Sequence, residues 1–312
     1  MKDTVIAIVG PTAVGKTQLS LEVAKKFNGE IISGDSMQIY RGMDIGTAKI
    51  LPEERQGIPH YMIDIKDPHE TFSVAEFQAT VQQYIKQITD RNKLPIIVGG
   101  SGLYIQATLF NYNFSQHSHD VNVRRKLEDE MEKHGINTLY ERLTNIDPAQ
   151  ARKIHPNNHR RVIRALEVFE VTGKTMTQLQ QEQSRESPYH PIIIGLEMER
   201  NLLYQRINER VDLMIEQGLE TEVRSLYESG LKDTQAMKAI GYKEFIPYFE
   251  GQQSYEETVD LLKRNSRRYA KRQYTWFKNK LDQIHWYDLE PETIYEKFAT
   301  ILTDLAGLLN KK

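Results

Sequence analysis

The apolar positions of the first 110 residues fall into short unbroken runs separated by stretches with helical spacing. Val5–Val9 is a continuous apolar run, which predicts a buried strand. From Thr17 to Phe27 the apolar positions are Leu19, Val23, Ala24 and Phe27, a helical spacing, and Asn28-Gly29 is a suitable stop. Ile31-Ile32-Ser33 predicts a second short strand. Ser73, followed three residues later by Glu76, forms a capping box ahead of a helix expected to run to about Thr89. Leu94–Val98 is a third buried strand, ending in Gly99-Gly100. Strands alternating with helices in this way make a parallel sheet covered by helices.

After Phe110 the alternation stops. From about Asp120 to Gln183 the chain is charged, helical in pattern and free of strand signals, and a strand signal returns at Pro191–Leu196. From Leu202 onward the periodicity is again helical. The expected organisation is a discontinuous core of residues 1–115 and 190–312, with 116–189 an inserted all-helical domain. No internal repeat or low-complexity tract interrupts this division.

Composition narrows the class. With 312 residues, 39% apolar and 27% charged, the chain has enough material for a large core. It has no cysteine, which excludes a disulfide framework, thiolate metal sites and a cysteine nucleophile. Val5–Val9 is too short for a membrane span or signal segment, so a cytoplasmic protein without membrane attachment is expected. The nine histidines show no ligand spacing, His117–His119 reads as a polar linker, and no zinc site is expected. The net charge of −2 hides segregation: Lys263–Lys278, "KRNSRRYAKRQYTWFK", has seven Lys or Arg and no acid.

The strongest chemical signal is "GPTAVGKT", Gly10-Pro11-Thr12-Ala13-Val14-Gly15-Lys16-Thr17, between a strand and a helix. Its glycines let successive backbone N–H groups turn toward phosphate oxygens, and the helix N-terminus adds positive potential. Lys16 brings a mobile charge, and Thr17 can bind Mg²⁺. The sheet is therefore expected to be of the P-loop NTPase-like α/β class. An acid ending the third strand, as nucleoside triphosphatases use for Mg²⁺, is missing: that strand runs into "VGGSGLY". Asp35 instead stands at the carboxyl end of the second strand, where open α/β sheets place functional groups.

"GPTAVGKT", "GDSMQIYRGMDIGTAK", "VGGSGLY", "HPNNHRRVIRALEV", "AIGYKE" and "KRQYTW", in this order, resemble the bacterial tRNA dimethylallyltransferase family. The resemblance implies transfer of a dimethylallyl group from dimethylallyl diphosphate to N6 of the adenosine immediately 3′ of the anticodon, with Mg²⁺ as cofactor. The P-loop would then hold a leaving diphosphate. Asp35 would take the N6 proton; capping the next segment, or acting as an outer-sphere partner of magnesium, are its other readings. The family's pattern also implies RNA contact for Asp35, Ser36, Met37 and Gln38, for Ser101 (more often Thr in the family), and for an arginine at Arg124 or its neighbour Arg125. Ile50 replaces the family's usual proline, and Asp44 with Lys49 reads as a structural ion pair.

RNA readers favour unpaired loops and combine cations with aromatic planes, which suits an anticodon stem-loop. In "HRRVIRAL", Val162, Leu166 and Phe169 share one helical face and Arg160 and Arg164 another. With the family motif matched, both arginines are expected to contact RNA; the plainer alternative pairs them with Glu167 or Glu170. In the basic segment, Arg268, Lys271 and Arg272 are the RNA or diphosphate ligands expected, with at least one of Trp276 and Phe277 buried. A monomer is expected. The rival functions are an isopentenyltransferase acting on free adenine nucleotide, a small-molecule kinase, and an RNA-binding P-loop NTPase. The first two need no extended basic surface, and the third lacks its metal-binding acid.

Overall fold

The computed structural model describes residues 2–114, 120–182 and 186–310, so the expected linker at His117–His119 lies outside the described residues. The chain divides into two compact units, Met1–Phe110 with Ser187–Lys312, and Asn111–Glu186.

The first unit is built on six parallel strands: β1 (Thr4–Val9), β2 (Gly29–Ser33), β3 (His60–Tyr61), β4 (Leu94–Gly99), β5 (His190–Glu197) and β6 (Ile284–Asp288), ordered β3-β2-β4-β1-β5-β6. Central β1 is buried along its whole length, with Ile6 opposite Ile96 of β4 and Ile192 of β5. Its side chains alternate between two cores. Val5, Ala7 and Val9 point into one, and Ile6 and Ile8 into the other. Burial on both faces explains why such a strand is written as an unbroken apolar run.

Helices α1 (Lys16–Lys26), α2 (Val74–Asp90) and α3 (Gly102–Leu109) follow the first strands. The expected capping box is formed: Ser73 Oγ accepts from Glu76 N (3.1 Å) and Glu76 Oε2 accepts from Ser73 N (2.8 Å). The second unit consists of α4 (Val121–His134), α5 (Ile136–Ile146), α6 (Pro148–Ala151), α7 (His159–Thr172) and α8 (Met176–Glu182). It has its own core around Leu127, Leu139, Leu143, Val162 and Leu166. Asp147, almost fully buried, caps α6 and accepts from both the backbone N–H and the hydroxyl of Thr177. Back in the first unit come α9 (Arg200–Glu216), α10 (Leu219–Glu228), α11 (Ile246–Phe249), α12 (Tyr255–Lys280) and α13 (Ile294–Leu309).

The region after Leu202 is not wholly helical, as its periodicity suggests. "IHWYD" forms the edge strand β6, and β3 adds two residues at the opposite edge. Both edges are only half buried, so neither has the apolar run that marks the central strands. The helical unit begins and ends several residues earlier than the pattern of residues 116–189 implies.

Candidate active site

The P-loop turns back on itself because Gly10 has φ +145° and lies against β5. A Cβ there would sit 2.5 Å from the Leu196 carbonyl oxygen, which no side chain tolerates. Val14 faces the core, so it offers only backbone to a ligand. Lys16 folds back, its Nζ donating to the carbonyls of Gly10 (3.0 Å) and Pro11 (2.6 Å). Burial, helped by the Arg210 guanidinium and opposed by Asp35, brings its pKa down to about 7.

Asp35 leaves the end of β2 and accepts the Met37 N–H at 2.8 Å on Oδ1. Burial raises its carboxyl above the usual carboxylate range, against the opposing pull of that N–H, Lys16 and Arg210. Two cations thus face one half-buried acid. Arg210, from α9, is half-buried and donates to Thr12 Oγ1 at 3.4 Å; one turn earlier Arg206 Nε donates to the Ala13 carbonyl at 3.1 Å.

Two cavities of about 100 Å³ and about 350 Å³ share a wall made of Thr12, Asp35, Thr47, Ala48, Arg210 and Tyr269. The smaller also reaches Lys16, Thr17 and Gln38; the larger reaches Ser36, Met37 and Arg272 and is bounded by apolar Ile207, Val211 and Met214. Gln38 is fixed between the Ser33 hydroxyl, which donates to its Oε1 (2.8 Å), and the Thr47 carbonyl, to which its Nε2 donates (3.2 Å). Ser101 Oγ accepts from Ser36 N at 3.3 Å, tying "GGSG" to the segment after β2. The Thr47-Ala48 wall is held from behind by Glu222, whose carboxylate accepts the N–H groups of Asp44, Ile45 and Gly46 and the Tyr242 hydroxyl. Asp44 and Lys49 are indeed ion-paired, with Asp64 a second partner of Lys49.

Arg268 and Lys271 are exposed on α12 and line neither cavity; Phe277 on the same helix is fully buried. In the helical unit Arg160 is exposed, beside His155 and His159 in a shallow polar hollow. Arg164 Nη1 donates to Glu167 at 3.0 Å, the ion pair that the plainer alternative expects, and Arg124 also pairs with that fully buried carboxylate, at 3.6 Å.

The pattern of the sequence does not single out Arg206 or Arg210, and it offers Tyr269 only as one of the aromatics of the basic segment and Gln273 only inside "KRQYTW", although each touches the loop or a cavity wall. One trace exists: Arg206 and Arg210 are four apart, adjoining the buried Leu203, Ile207 and Val211, so a cation pair sits against an apolar stripe. Among the described residues no cluster of three or more His, Asp or Glu could hold a metal, and no helix is long and apolar enough to cross a membrane.

A family model described as IPP transferase matches residues 38–280. A tRNA dimethylallyltransferase of Oceanobacillus iheyensis is 59% identical over 312 residues, covering 100% of this chain and 99% of the relative. Among solved structures, a tRNA isopentenylpyrophosphate transferase from Bacillus halodurans is 49% identical with a TM-score of 0.75, over 100% of this chain and 98% of that one. A eukaryotic dimethylallyltransferase acting on tRNA is 34% identical with a TM-score of 0.86, over 99% of this chain and 80% of that one.

Proposed function

The chain belongs to the IPP transferase family, and from that membership we propose that it transfers a dimethylallyl group from dimethylallyl diphosphate to N6 of the adenosine immediately 3′ of the anticodon of a tRNA, releasing diphosphate. The observation that carries this reading is the half-buried acid Asp35 on the wall between two cavities, faced by Lys16 and Arg210.

The P-loop N–H groups, Lys16 and Arg210 receive the charge that develops on the departing diphosphate, in a recess where burial strengthens each interaction. The adenine amine is a poor nucleophile, its lone pair being delocalised into the ring. Asp35 accepts its proton as the N6–carbon bond forms and the carbon–oxygen bond to diphosphate breaks. The raised affinity of Asp35 for a proton suits that task. In the larger cavity Ile207, Val211 and Met214 offer an apolar wall to the dimethylallyl chain.

Magnesium fits this donor set without a carboxylate cluster, because Mg²⁺ is commonly held by one or two protein oxygens, substrate phosphates and water. Thr17 Oγ would hold it, and it would supply charge neutralisation to the diphosphate. Arg160 in the helical unit and Arg268, Lys271 and Arg272 on α12 are among the exposed cations that RNA phosphates can reach, which suits an RNA partner such as an anticodon stem-loop. Incubation with radiolabelled dimethylallyl diphosphate, Mg²⁺ and either tRNA or AMP tests the reading. Label on tRNA alone is expected, and label on AMP alone would replace it with the free-nucleotide reaction.

A further inference from the structure

Within the P-loop, Thr12 does not offer its backbone N–H to a ligand. It donates to Gln273 Oε1 at 2.8 Å, a partner from α12 that lies 261 residues further along the chain. Gln273 is 5% exposed, so this amide is a built part of the interior. Its other end lies over Gly100, where a Cβ would come within 1.9 Å of Gln273 Nε2. Tyr269, one turn earlier, shares hydrogen bonds with Gln273 and Ser101; burial brings its hydroxyl pKa up to about 12, keeping it a neutral partner.

The residue after Thr12 explains why an outside hold is needed. Ala13 has φ +64°, a left-handed conformation that a residue with a Cβ adopts only when its surroundings impose it. Arg206 grips the Ala13 carbonyl and Arg210 the Thr12 hydroxyl. Gln273 adds a bond to the Thr12 backbone N–H. An uncharged amide suits that position: a carboxylate there would oppose a diphosphate, and a cation would compete with Lys16.

We propose that Gln273 is a positioning residue that sets the P-loop for the leaving diphosphate, with Gly100 conserving the space its amide needs. This rests on the reading that the P-loop holds that diphosphate. The wild type, Gln273→Ala, Gly100→Ala and the double variant are compared for three quantities: affinity for inorganic diphosphate with Mg²⁺, the KM and single-turnover rate with dimethylallyl diphosphate, and tRNA affinity. Gln273→Ala should weaken diphosphate binding roughly three- to tenfold, the weight of one lost hydrogen bond, and raise the donor KM while tRNA affinity stays within about twofold. Gly100→Ala should act in the same direction by displacing the amide, and the double variant should be no worse than Gln273→Ala.

Wild-type diphosphate affinity and donor KM in Gln273→Ala would overturn the inference. So would parallel losses of diphosphate and tRNA affinity, which a merely structural side chain would produce. A wild type that binds diphosphate yet labels no tRNA would refute the proposed function while leaving the comparison of variants valid.

Discussion

Replacing Asp35 with asparagine separates what this side chain does for the fold from what it does for the reaction. Asparagine keeps the shape and an oxygen for the Met37 N–H, now bonded at 2.8 Å, so the turn after β2 should persist. Asn and Asp are near equals in such local capping, and stability should change by less than about 1 kcal/mol. The loss falls on chemistry, because a carboxamide does not take a proton from the adenine amine. General-base catalysis contributes about 10²–10⁴ in rate, so the barrier should rise by about 3–5 kcal/mol.

Single-turnover transfer to tRNA at saturating donor, with tRNA and diphosphate binding measured in parallel, reads that loss. Asp35→Ala is the companion variant: it loses the same rate and also the Met37 bond, worth about 1 kcal/mol. A rate for Asp35→Asn within a few-fold of wild type would refute the general-base role and leave the acid as a cap. Recovery of the rate at high Mg²⁺ would refute it differently, making Asp35 a partner of the metal.

The same group sets a pH limb. Asp35 is raised above the ordinary carboxylate range, so the single-turnover rate should fall with decreasing pH already above that range, as the base becomes protonated; Asp35→Asn should lack this limb. Lys16→Ala should cut transfer by roughly 10²–10³ while tRNA binding persists, and equal loss of both would contradict the division of labour. Neutralising Arg160, Arg268, Lys271 or Arg272 should each reduce the log–log salt slope of tRNA binding by about 0.7–0.9, and unchanged slopes would return them to a solvated surface. Arg164→Ala should instead show in thermal unfolding, losing roughly 1–3 kcal/mol as the buried Glu167 carboxylate loses a donor, with little change in salt slope.

What could be read from the sequence was what is local in it. The P-loop is contiguous, and Asp35 follows its strand by two residues, so each could be picked out before any packing was known. β1, β4 and β5 are buried on both faces and write themselves as apolar runs. β6 lies at an edge, and its His285 and Asp288 are exposed, which hides it among helical text. Arg210 and Gln273 reach Thr12 across 198 and 261 residues, a distance no periodicity spans. Arg164 and Glu167 were the opposite case: their three-residue spacing allows an ion pair, and a basic face reads the same whether its arginines are engaged or open to solvent.

The strand order has a consequence for how the protein is made. Central β1 needs β4 on one side and β5 on the other, and β5 begins only at His190, after the whole helical unit has been synthesised. The helical unit has its own core and can settle while β1 still has one edge open. Residues 4–17 leave the ribosome among the first, yet the side chains that hold their loop, Arg206, Arg210 and Gln273, are among the later ones to emerge. An interrupted chain therefore keeps a complete phosphate-loop motif that nothing holds in shape, so fragments left by stalled translation should be inactive.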